Sequence, residues 1–281
     1  MDTTQKFSKK TTTLRRVNKL NREGELMNVL SLFDGMSCGQ IALDQIGVKV
    51  NNYFAAEVDK YAIKVTQQNF PGTIHLGDVK GIKGADLPEI DLLIGGSPCQ
   101  GFSFAGKNLN FDDPRSKLFF EYVRLLKELK PKYFLLENVH MKKESMDIIT
   151  DALGVEPILI NSDRFVQQNR KRYYWTNIHI KELPDRPDWK GTFYHWRRTH
   201  FRKNKSGVSP CLTANMGTGG HNVPLRKADL TTKLSPLECE RLQTVPDGYT
   251  CGVSNTQRYK MLGNGWTVDV IKHIFNGLET V

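Results

Sequence analysis

A cysteine that directly follows a proline is the first residue of this sequence that could do covalent chemistry. Cys99 lies in the stretch LLIGGSPCQGFSF, after an apolar run and before glycines and small polar residues. An isolated cysteine is usually a buried core residue, but these neighbours weigh against a core position. The segment after it, GFSFAGKNLNFDDPRSK, is long and lacks a regular pattern, which is typical of an active-site lid. The local sequence makes Cys99 a candidate nucleophile without excluding a structural thiol.

Three acidic residues, each after a different predicted strand, form a candidate site for a nucleoside. In SLFDGMSCGQIAL, Asp34, Gly35 and Gly39 form a glycine-bearing turn into a helix, which lets the backbone approach a ligand closely. Glu57 follows near the roughly 20-residue offset at which an acid binds a ribose diol in nucleotide folds. Asp78, in HLGDVKGI, could accept a hydrogen bond from an adenine amine. Each acid alone is more often a solvated or capping residue, but together they favour a nucleoside ligand.

A fourth acid, Glu137, stands directly after an apolar run in YFLLENV. Burying a carboxylate there is costly unless the group is paired, protonated or used in catalysis. Glu137 is therefore a second candidate for chemistry.

The elements that must position these residues alternate along the chain. Predicted strands are NVLSLF, NNYFAAE, DLLIGG, YFLLENV, EPILIN and RYYWTNI, and predicted helices are CGQIALDQIG, DKYAIKVTQQNF, LFFEYVRLLKELK and KESMDIITDALG. This alternation predicts an α/β domain with a largely parallel sheet. Ser235 and Glu238 predict a capping box for a helix that begins at Pro236, and NGWTVDVIKHIFNGL predicts a helix that packs on the sheet. Because ligands bind at the carboxyl ends of parallel strands, we expect the chemistry at that edge.

Four segments follow from the composition along the chain. Residues 1–26 are basic and lack periodicity, so we expect a flexible arm, although an ordinary solvated tail explains them equally well. Residues 27–180 and 231–281 carry the regular pattern and are expected to form one catalytic and cofactor-binding domain. Residues 181–230 are rich in Gly, Pro, Asn, Thr and charge, and we expect a separate, irregular unit there.

Charge and cysteine content narrow the functional classes. The net charge of +10, from 40 Lys and Arg against 30 Asp and Glu in 281 residues, favours a polyanionic partner such as nucleic acid. No apolar run reaches membrane-spanning length and the first residues lack a signal-peptide core, so we expect a cytoplasmic protein without membrane contact. The five cysteines show no CxxC spacing, which indicates neither a disulfide framework nor a zinc site, and we expect no metal.

Eight motifs occur in an order that matches a known family. They are FDGMSCG, the acid Glu57, GDV, GGSPCQGFS, ENV, QNRKR, ECERLQTVPDGY and GNGWTVDVI. From about residue 29 to the carboxyl end, the chain resembles a DNA (cytosine-5)-methyltransferase. The resemblance implies a Rossmann-like, S-adenosylmethionine-dependent methyltransferase fold with a mixed, mostly parallel sheet. It also implies a small irregular target-recognition domain over residues 181–230.

The resemblance further implies a covalent mechanism on duplex DNA. In the family, a cysteine matching Cys99 attacks C6 of a flipped-out cytosine, and the acid matching Glu137 hydrogen-bonds N3 and the exocyclic amine. C5 then takes a methyl group from S-adenosylmethionine, which leaves S-adenosylhomocysteine. Arg172 is implied to lie near the cytosine O2 and Arg170 to support the loop, and nearby positive charge favours the thiolate. The implied catalytic residues are Cys99, Glu137, Arg170 and Arg172.

The same resemblance assigns the cofactor contacts. Glu57 is expected to hold the ribose hydroxyls, Asp78 the adenine amine, and Phe33 to pack against the adenine. The last motif departs from many relatives, which have Ser-Val where this chain has Gly265-Trp266. The expected cofactor contacts are Phe33, Asp34, Gly35, Gly39, Glu57, Asp78, Val79, Pro98, Asn264 and Trp266.

Two stretches of residues 181–230 are expected to read DNA. KGTFYHWRRTHFRKNK combines basic and aromatic residues without an acid, which suits phosphate positioning, although a solvated basic surface explains several of these side chains. CLTANMGTGGHNVP is expected to enter the major groove. The compact region favours a short recognition site, and a monomer suffices. The expected DNA contacts are Gln100, Ser103, Gln168, Arg197, Arg198, Arg202, Lys203, Thr213, Asn215 and Thr218.

Two other functions stay open at this point. A tRNA cytosine-5-methyltransferase would carry the same motifs, and a non-catalytic DNA-binding relative would keep the fold but lose catalytic residues, which are all present here. A bacterial or phage source is expected, and a restriction-modification system, a phage that protects its genome and a solitary regulatory enzyme are all compatible with the sequence.

Overall fold

The computed structural model describes residues 26–98, 114–197, 200–204, 206–218, 224–225 and 233–278. Among the predicted site residues, Cys99, Gln100, Ser103 and Arg198 lie outside the described residues. For Arg197 and Arg202 only the backbone is described.

Seven strands form the main sheet in the described part of the chain. They are β1 (Met27–Leu32), β2 (Val50–Ala56), β3 (Ile74–His75), β4 (Leu92–Gly95), β5 (Tyr133–Val139), β6 (Ile158–Asn161) and β7 (Lys171–Thr176). Their order is β3-β2-β1-β4-β5-β7-β6, and β7 runs antiparallel to both of its neighbours while the other pairs are parallel. The predicted mixed, mostly parallel sheet is confirmed.

Helices connect the strands and cover the sheet. They are α1 (Cys38–Gln45), α2 (Lys60–Asn69), α3 (Pro114–Leu129), α4 (Lys143–Leu153), α5 (Pro236–Leu242), α6 (Asn255–Asn264) and α7 (Val268–Phe275). None of the helices in the described residues has the length and apolar character needed to cross a bilayer.

Local sequence explains where α5 begins. The predicted capping box is confirmed, since Ser235 accepts a hydrogen bond from the Glu238 backbone N–H and the Glu238 side chain accepts one from the Ser235 backbone. The sequence did not predict α6, and α7 begins at Val268 instead of in the GNGW motif. That motif forms the end of α6 and the loop between the two helices.

Apolar side chains of the central strands point to both faces of the sheet, as is typical of parallel strands covered on both sides. On β1, Val29 belongs to the cluster that α1 and α7 cover, while Leu30 and Leu32 belong to the opposite cluster. Phe119 on α3 is fully buried in that second cluster. The two clusters hold the strand ends of the sheet in a fixed arrangement.

Residues 193–225 contain a second, three-stranded antiparallel sheet. Its strands are β8 (Phe193–Arg197), β9 (His200–Asn204) and β10 (Pro224–Leu225), in the order β10-β8-β9. We expected this region to be irregular, because its glycines and charges conceal the alternation of short strands.

The order of the strands creates a crevice between β1 and β4. From β1 the chain continues outward to β2 and β3, whereas β4 leads to β5 on the other side. Loops that leave adjacent parallel strands in opposite directions open a binding site at the carboxyl ends. The segments after β1 and β4 are those that carry Asp34 and Cys99.

Candidate active site

A cavity of about 640 Å³ lies at the carboxyl ends of β1, β2 and β4. This volume is within the range of small-molecule and cofactor sites, roughly 300–1,000 Å³. The cavity brings together every residue that the sequence predicted for the cofactor except Gly39. Those lining residues are Phe33, Asp34, Gly35, Glu57, Asp78, Val79, Pro98, Asn264 and Trp266.

The turn after β1 has an unusual backbone conformation. Phe33, Gly35 and Ser37 have φ angles of 57°, 59° and 60°, in the left-handed region that residues other than glycine rarely adopt. The backbone N–H of Asp34 donates to the carbonyl of Ala56 at 3.1 Å, which ties the turn to the end of β2. Tertiary contacts therefore hold a turn that the isolated segment would not adopt.

The Asp34 carboxylate is bonded inside the protein. Its Oδ1 accepts from the Tyr53 hydroxyl at 2.9 Å, and its Oδ2 accepts from the Ser37 hydroxyl. Burial raises the pKa of Asp34 to about 6, although the hydrogen bonds from Ser31, Ser37 and Tyr53 oppose the shift. Asp34 therefore stabilises the turn, and direct contact with a ligand stays a prediction.

The other two acids are arranged differently. Glu57 Oε2 accepts from the Gly35 N–H at 2.7 Å, and its Oε1 accepts from the Val58 and Asp59 N–H groups at 2.7 and 2.8 Å. Asp78 is exposed and caps a short 3₁₀ turn by accepting from the Lys80 N–H at 3.0 Å. A carboxylate offers about four lone-pair sites, so both acids keep acceptor capacity toward the cavity.

Apolar side chains line the remaining walls of the cavity. They include Phe33, Val79 and Val58, of which Val58 is 71% exposed. Acceptors for hydroxyl and amine groups beside an apolar slot fit an adenosine moiety, and a carboxylate-lined cavity suits the positive charge of a sulfonium. The described residues contain no cluster of His, Cys, Asp or Glu side chains suited to a metal.

Glu137 lies beside this cavity, at the carboxyl end of β5. Its side chain is 10% exposed and pairs with Arg172, whose Nε is 2.9 Å from Oε1. The antiparallel register makes Arg172 the partner of Val139, so Arg172 lies diagonally opposite Glu137. Trp266 Nε1 donates to the second oxygen, Oε2, at 3.1 Å. Each oxygen of this nearly buried carboxylate thus has its own donor.

Arg170 is buried and connects three parts of the chain. Its Nη1 donates to the Leu212 and Gly263 carbonyls at 3.2 Å, and its Nη2 donates to the Gly265 carbonyl at 2.8 Å. Leu212 lies between β9 and β10, and Gly263 and Gly265 lie around the end of α6. Arg170 therefore joins the start of β7 to these two segments, and its support of the loop that carries Cys99 stays a prediction.

Gln168 has no exposed surface. Its Nε2 donates to the Leu242 carbonyl at 2.7 Å, and its Oε1 accepts from the Leu212 N–H at 3.0 Å. The direct DNA contact that we expected from Gln168 does not form in this arrangement, because the amide is used within the protein. Gln168, just before β7, instead links Leu212 to the end of α5.

Cys211 is a residue of the site that the sequence analysis missed. Its Sγ is 3.3 Å from Arg170 Nη1 and 3.8 Å from Arg172 Nη2. Burial acts to raise the pKa of this thiol, but the two guanidinium groups lower it below its usual value. No local signal marks Cys211, because only the fold brings the two arginines to it.

The predicted DNA-contacting side chains that are described lie on two segments. Lys203 is exposed on β9, and Asn215 and Thr218 are exposed in the turn after it. The Thr213 hydroxyl is buried and has no hydrogen-bond partner among the described residues. Their contacts with DNA stay predictions.

Comparison with known proteins identifies the family. The sequence model of the C-5 cytosine-specific DNA methylases matches residues 27–218 and 190–280. The chain belongs to this family. It is therefore a DNA cytosine-5-methyltransferase, and methylases of this family use S-adenosylmethionine and act on DNA.

Individual relatives match this methylase over most of its length. It is 34% identical to the type II methyltransferase M.Bsp6I of Bacillus sp. (strain RFL6), over 89% of this chain and 97% of the relative. It is 32% identical to the type II methyltransferase M1.ScrFI of Lactococcus lactis subsp. cremoris, over 90% of this chain and 78% of the relative.

Solved structures share the fold of the methylase. A DNMT2 variant from Spodoptera frugiperda superposes with a TM-score of 0.68 at 19% identity, over 89% of this chain and 99% of that one. The methyltransferase EhMeth of Entamoeba histolytica gives 0.68 at 18% identity, over 90% and 98%. The Rossmann-like methyltransferase fold predicted from the sequence is confirmed.

Proposed function

We propose that this methylase transfers a methyl group to C5 of a flipped-out cytosine in double-stranded DNA, with Cys99 as covalent nucleophile. The observation that carries the proposal is the position of Glu137. This nearly buried carboxylate is held by Arg172 and Trp266 beside the cavity. Arg172 and Trp266 each occupy one lone pair of a different oxygen, so the carboxylate keeps lone pairs that can accept hydrogen bonds from a polar base.

The covalent step accounts for the residue types. The Cys99 thiolate adds to C6 of cytosine, the π pair of the C5–C6 bond shifts to C4–C5, and the π pair of C4–N3 goes to N3, which takes a proton from solvent. Glu137 accepts hydrogen bonds from the new N3–H and from the exocyclic amine, and so favours this protonation. C5 thereby becomes an enamine-like carbon that is nucleophilic enough to be methylated. Loss of the C5 proton and release of Cys99 by β-elimination complete the reaction.

The cavity residues support S-adenosylmethionine, with S-adenosylhomocysteine as the product that occupies the same site. Glu57 is placed to hold the ribose hydroxyls and Asp78 the adenine amine, while Phe33 and Val58 would cover the adenine. When bound, the cofactor supplies an electrophilic methyl group on a sulfonium. We propose no metal for this reaction.

DNA would be held by residues 181–230, the proposed recognition region, with residues 27–180 and 231–281 forming the catalytic domain. A base inside a duplex is inaccessible, so the target cytosine must leave the stack before it reaches Glu137. The net charge of +10 supports phosphate contacts. We propose that the enzyme acts as a monomer in the cytoplasm of a bacterium or phage-infected cell, with a role like that of its type II relatives.

The test is methyl transfer from labelled S-adenosylmethionine to duplex DNA and to tRNA in parallel. We expect label in DNA, none after Cys99→Ser, and a trapped adduct on 5-fluorocytosine DNA with the parent chain. Label in tRNA alone would refute the DNA substrate, and full activity of Cys99→Ser would refute the covalent mechanism. Bisulfite sequencing of DNA from cells that express the chain then gives the recognition site.

A further inference from the structure

The indole ring of Trp266 lies between the cofactor cavity and Glu137. Its ring lines the cavity, and its Nε1 donates to Glu137 Oε2 at 3.1 Å. The other carboxylate oxygen is occupied by Arg172 at 2.9 Å. Trp266 therefore borders the cavity and also contacts Glu137, whereas a residue that only formed the cavity wall would not need to reach this carboxylate.

The surrounding backbone is shaped for this ring. A Cβ atom at Gly96, just after β4, would lie 3.0 Å from Trp266 Nε1 and 3.1 Å from Glu137 Oε2. The absence of a side chain at Gly96 thus leaves the space in which the indole reaches the carboxylate.

The backbone next to the ring is also anchored. The carbonyl of Gly265 accepts from Arg170 Nη2 at 2.8 Å and from Gln243 Nε2 at 3.0 Å. An anchored donor fixes the direction of its acceptor better than a mobile one, because less conformational freedom is lost when the bond forms. The indole N–H is consequently a rigid support for Glu137.

We propose that Trp266 is a positioning residue for Glu137, in addition to a wall of the cofactor cavity. By holding Oε2, the indole N–H sets the rotation of the carboxylate so that its remaining lone pairs face the target base. This inference rests on the proposed function, because it assigns Trp266 to the step in which Glu137 assists attack at C6.

The attack at C6 can be measured without the cofactor. When a thiolate adds to C6, C5 gains electron density and takes a proton from solvent; loss of the original C5 hydrogen and elimination of the thiolate then restore cytosine. With tritium at C5, this cycle releases tritium to water and needs only solvent as co-reactant. Tritium release therefore reports the action of Cys99 and Glu137, separately from methyl transfer.

The decisive variants are Trp266→Phe and Trp266→His. Phenylalanine keeps an aromatic wall but removes the N–H, whereas the five-membered ring of histidine places its Nε2 where the indole places Nε1. At about pH 8, where histidine is neutral, its Nε2–H can still donate. We expect Trp266→Phe to slow tritium release about tenfold, as for loss of a hydrogen bond to a charged group. We expect Trp266→His to keep most of the rate, and Trp266→Phe to bind S-adenosylhomocysteine with less than about threefold change in Kd.

Trp175→Phe is the matched control. Trp175 is fully buried and its Nε1 donates to the Thr150 hydroxyl at 3.0 Å, so this variant loses an indole hydrogen bond away from the cavity. We expect it to be less stable than the parent but to release tritium at the parental rate.

The outcomes separate the two proposals. If the parent chain neither methylates DNA nor releases tritium, the proposed function is refuted. If the parent is active, the inference on Trp266 is refuted by parental tritium release from Trp266→Phe. It is equally refuted if Trp266→Phe only weakens S-adenosylhomocysteine binding, or if the phenylalanine and histidine variants are slowed alike.

Discussion

Replacement of Asp34 by asparagine should remove a loss of folding free energy that the parent undergoes as the pH rises from 5 to 7.5. Burial raises the pKa of this carboxyl from 3.8 to about 6 in the folded chain. The folded state therefore holds the proton more tightly than the unfolded state. The stability from this group is present at low pH and is lost as the pH rises through the folded pKa.

The magnitude follows from the two pKa values. Full ionisation of Asp34 costs about 3 kcal/mol of folding free energy, and about half of that is lost between pH 5 and 7.5. Asparagine has no such cost, and its amide can still pair with the hydroxyls of Ser37 and Tyr53. Relative to the variant, the free energy of unfolding of the parent should fall by about 1 kcal/mol over this range.

The assay is thermal or urea unfolding of both proteins without cofactor, at matched ionic strength. Because all other titrating groups are shared, the difference between the two curves isolates Asp34. The expected change in the difference of Tm is about 2–4 °C. A difference that is constant from pH 5 to 7.5, or one that grows in favour of the parent, would refute the reasoning.

Three further predictions concern other parts of the site. Arg170→Ala removes the guanidinium donor from the carbonyls of Leu212, Gly263 and Gly265, of which Gly265 keeps only its bond from Gln243. It should lower the free energy of unfolding, measured in urea, by about 2–4 kcal/mol, and an unchanged midpoint would contradict the role of Arg170 as a cross-link. Glu240→Gln replaces a fully buried carboxylate that accepts hydrogen bonds from Arg258 and from the Gly248 N–H. It should lower the free energy of unfolding in urea by about 2–4 kcal/mol at neutral pH. Burial acts to raise the pKa of Glu240, but these donors lower it below its usual value of 4.5. The stability that Glu240→Gln loses relative to the parent should therefore shrink as the pH falls below 4.5, and an equal loss at low pH would contradict an ionised Glu240 in the folded chain. Gly96→Ala places a methyl group against the Trp266 indole and the Glu137 carboxylate. It should slow tritium release while Tm changes little, whereas a large fall in Tm would indicate that the variant is slowed by general destabilisation.

Much of the scaffold could be predicted because its signals are local. The strands alternate with amphipathic helices, and the capping box at Ser235 and Glu238 marks the start of α5 within four residues. The carboxyl ends of parallel strands share one edge, which explains why Glu57, Asp78 and the turn at Asp34 meet in one cavity.

The parts that could not be predicted depend on contacts between distant segments. Gln168 and Arg170 stand in a basic, polar motif that suggests an exposed surface, but their hydrogen bonds to the chain beyond residue 211 bury them. Cys211 likewise gains its charged neighbours only when Arg170 and Arg172 pack against it in the folded chain. A helix such as α6, with few apolar residues, also lacks the periodicity that identifies the others.

The cross-link made by Arg170 has a consequence for the newly synthesised protein. Arg170 and the Gly265 carbonyl that it binds are separated by 95 positions in the chain. On the ribosome, at roughly 5–20 residues per second, β1–β7 emerge many seconds before the loop that bears Trp266. A nascent chain in which Cys99 and Glu137 have already been synthesised thus still lacks two carbonyl partners of Arg170, Gly263 and Gly265, and the indole beside Glu137. We expect the growing polypeptide to be unable to modify DNA until translation has passed the GNGW motif.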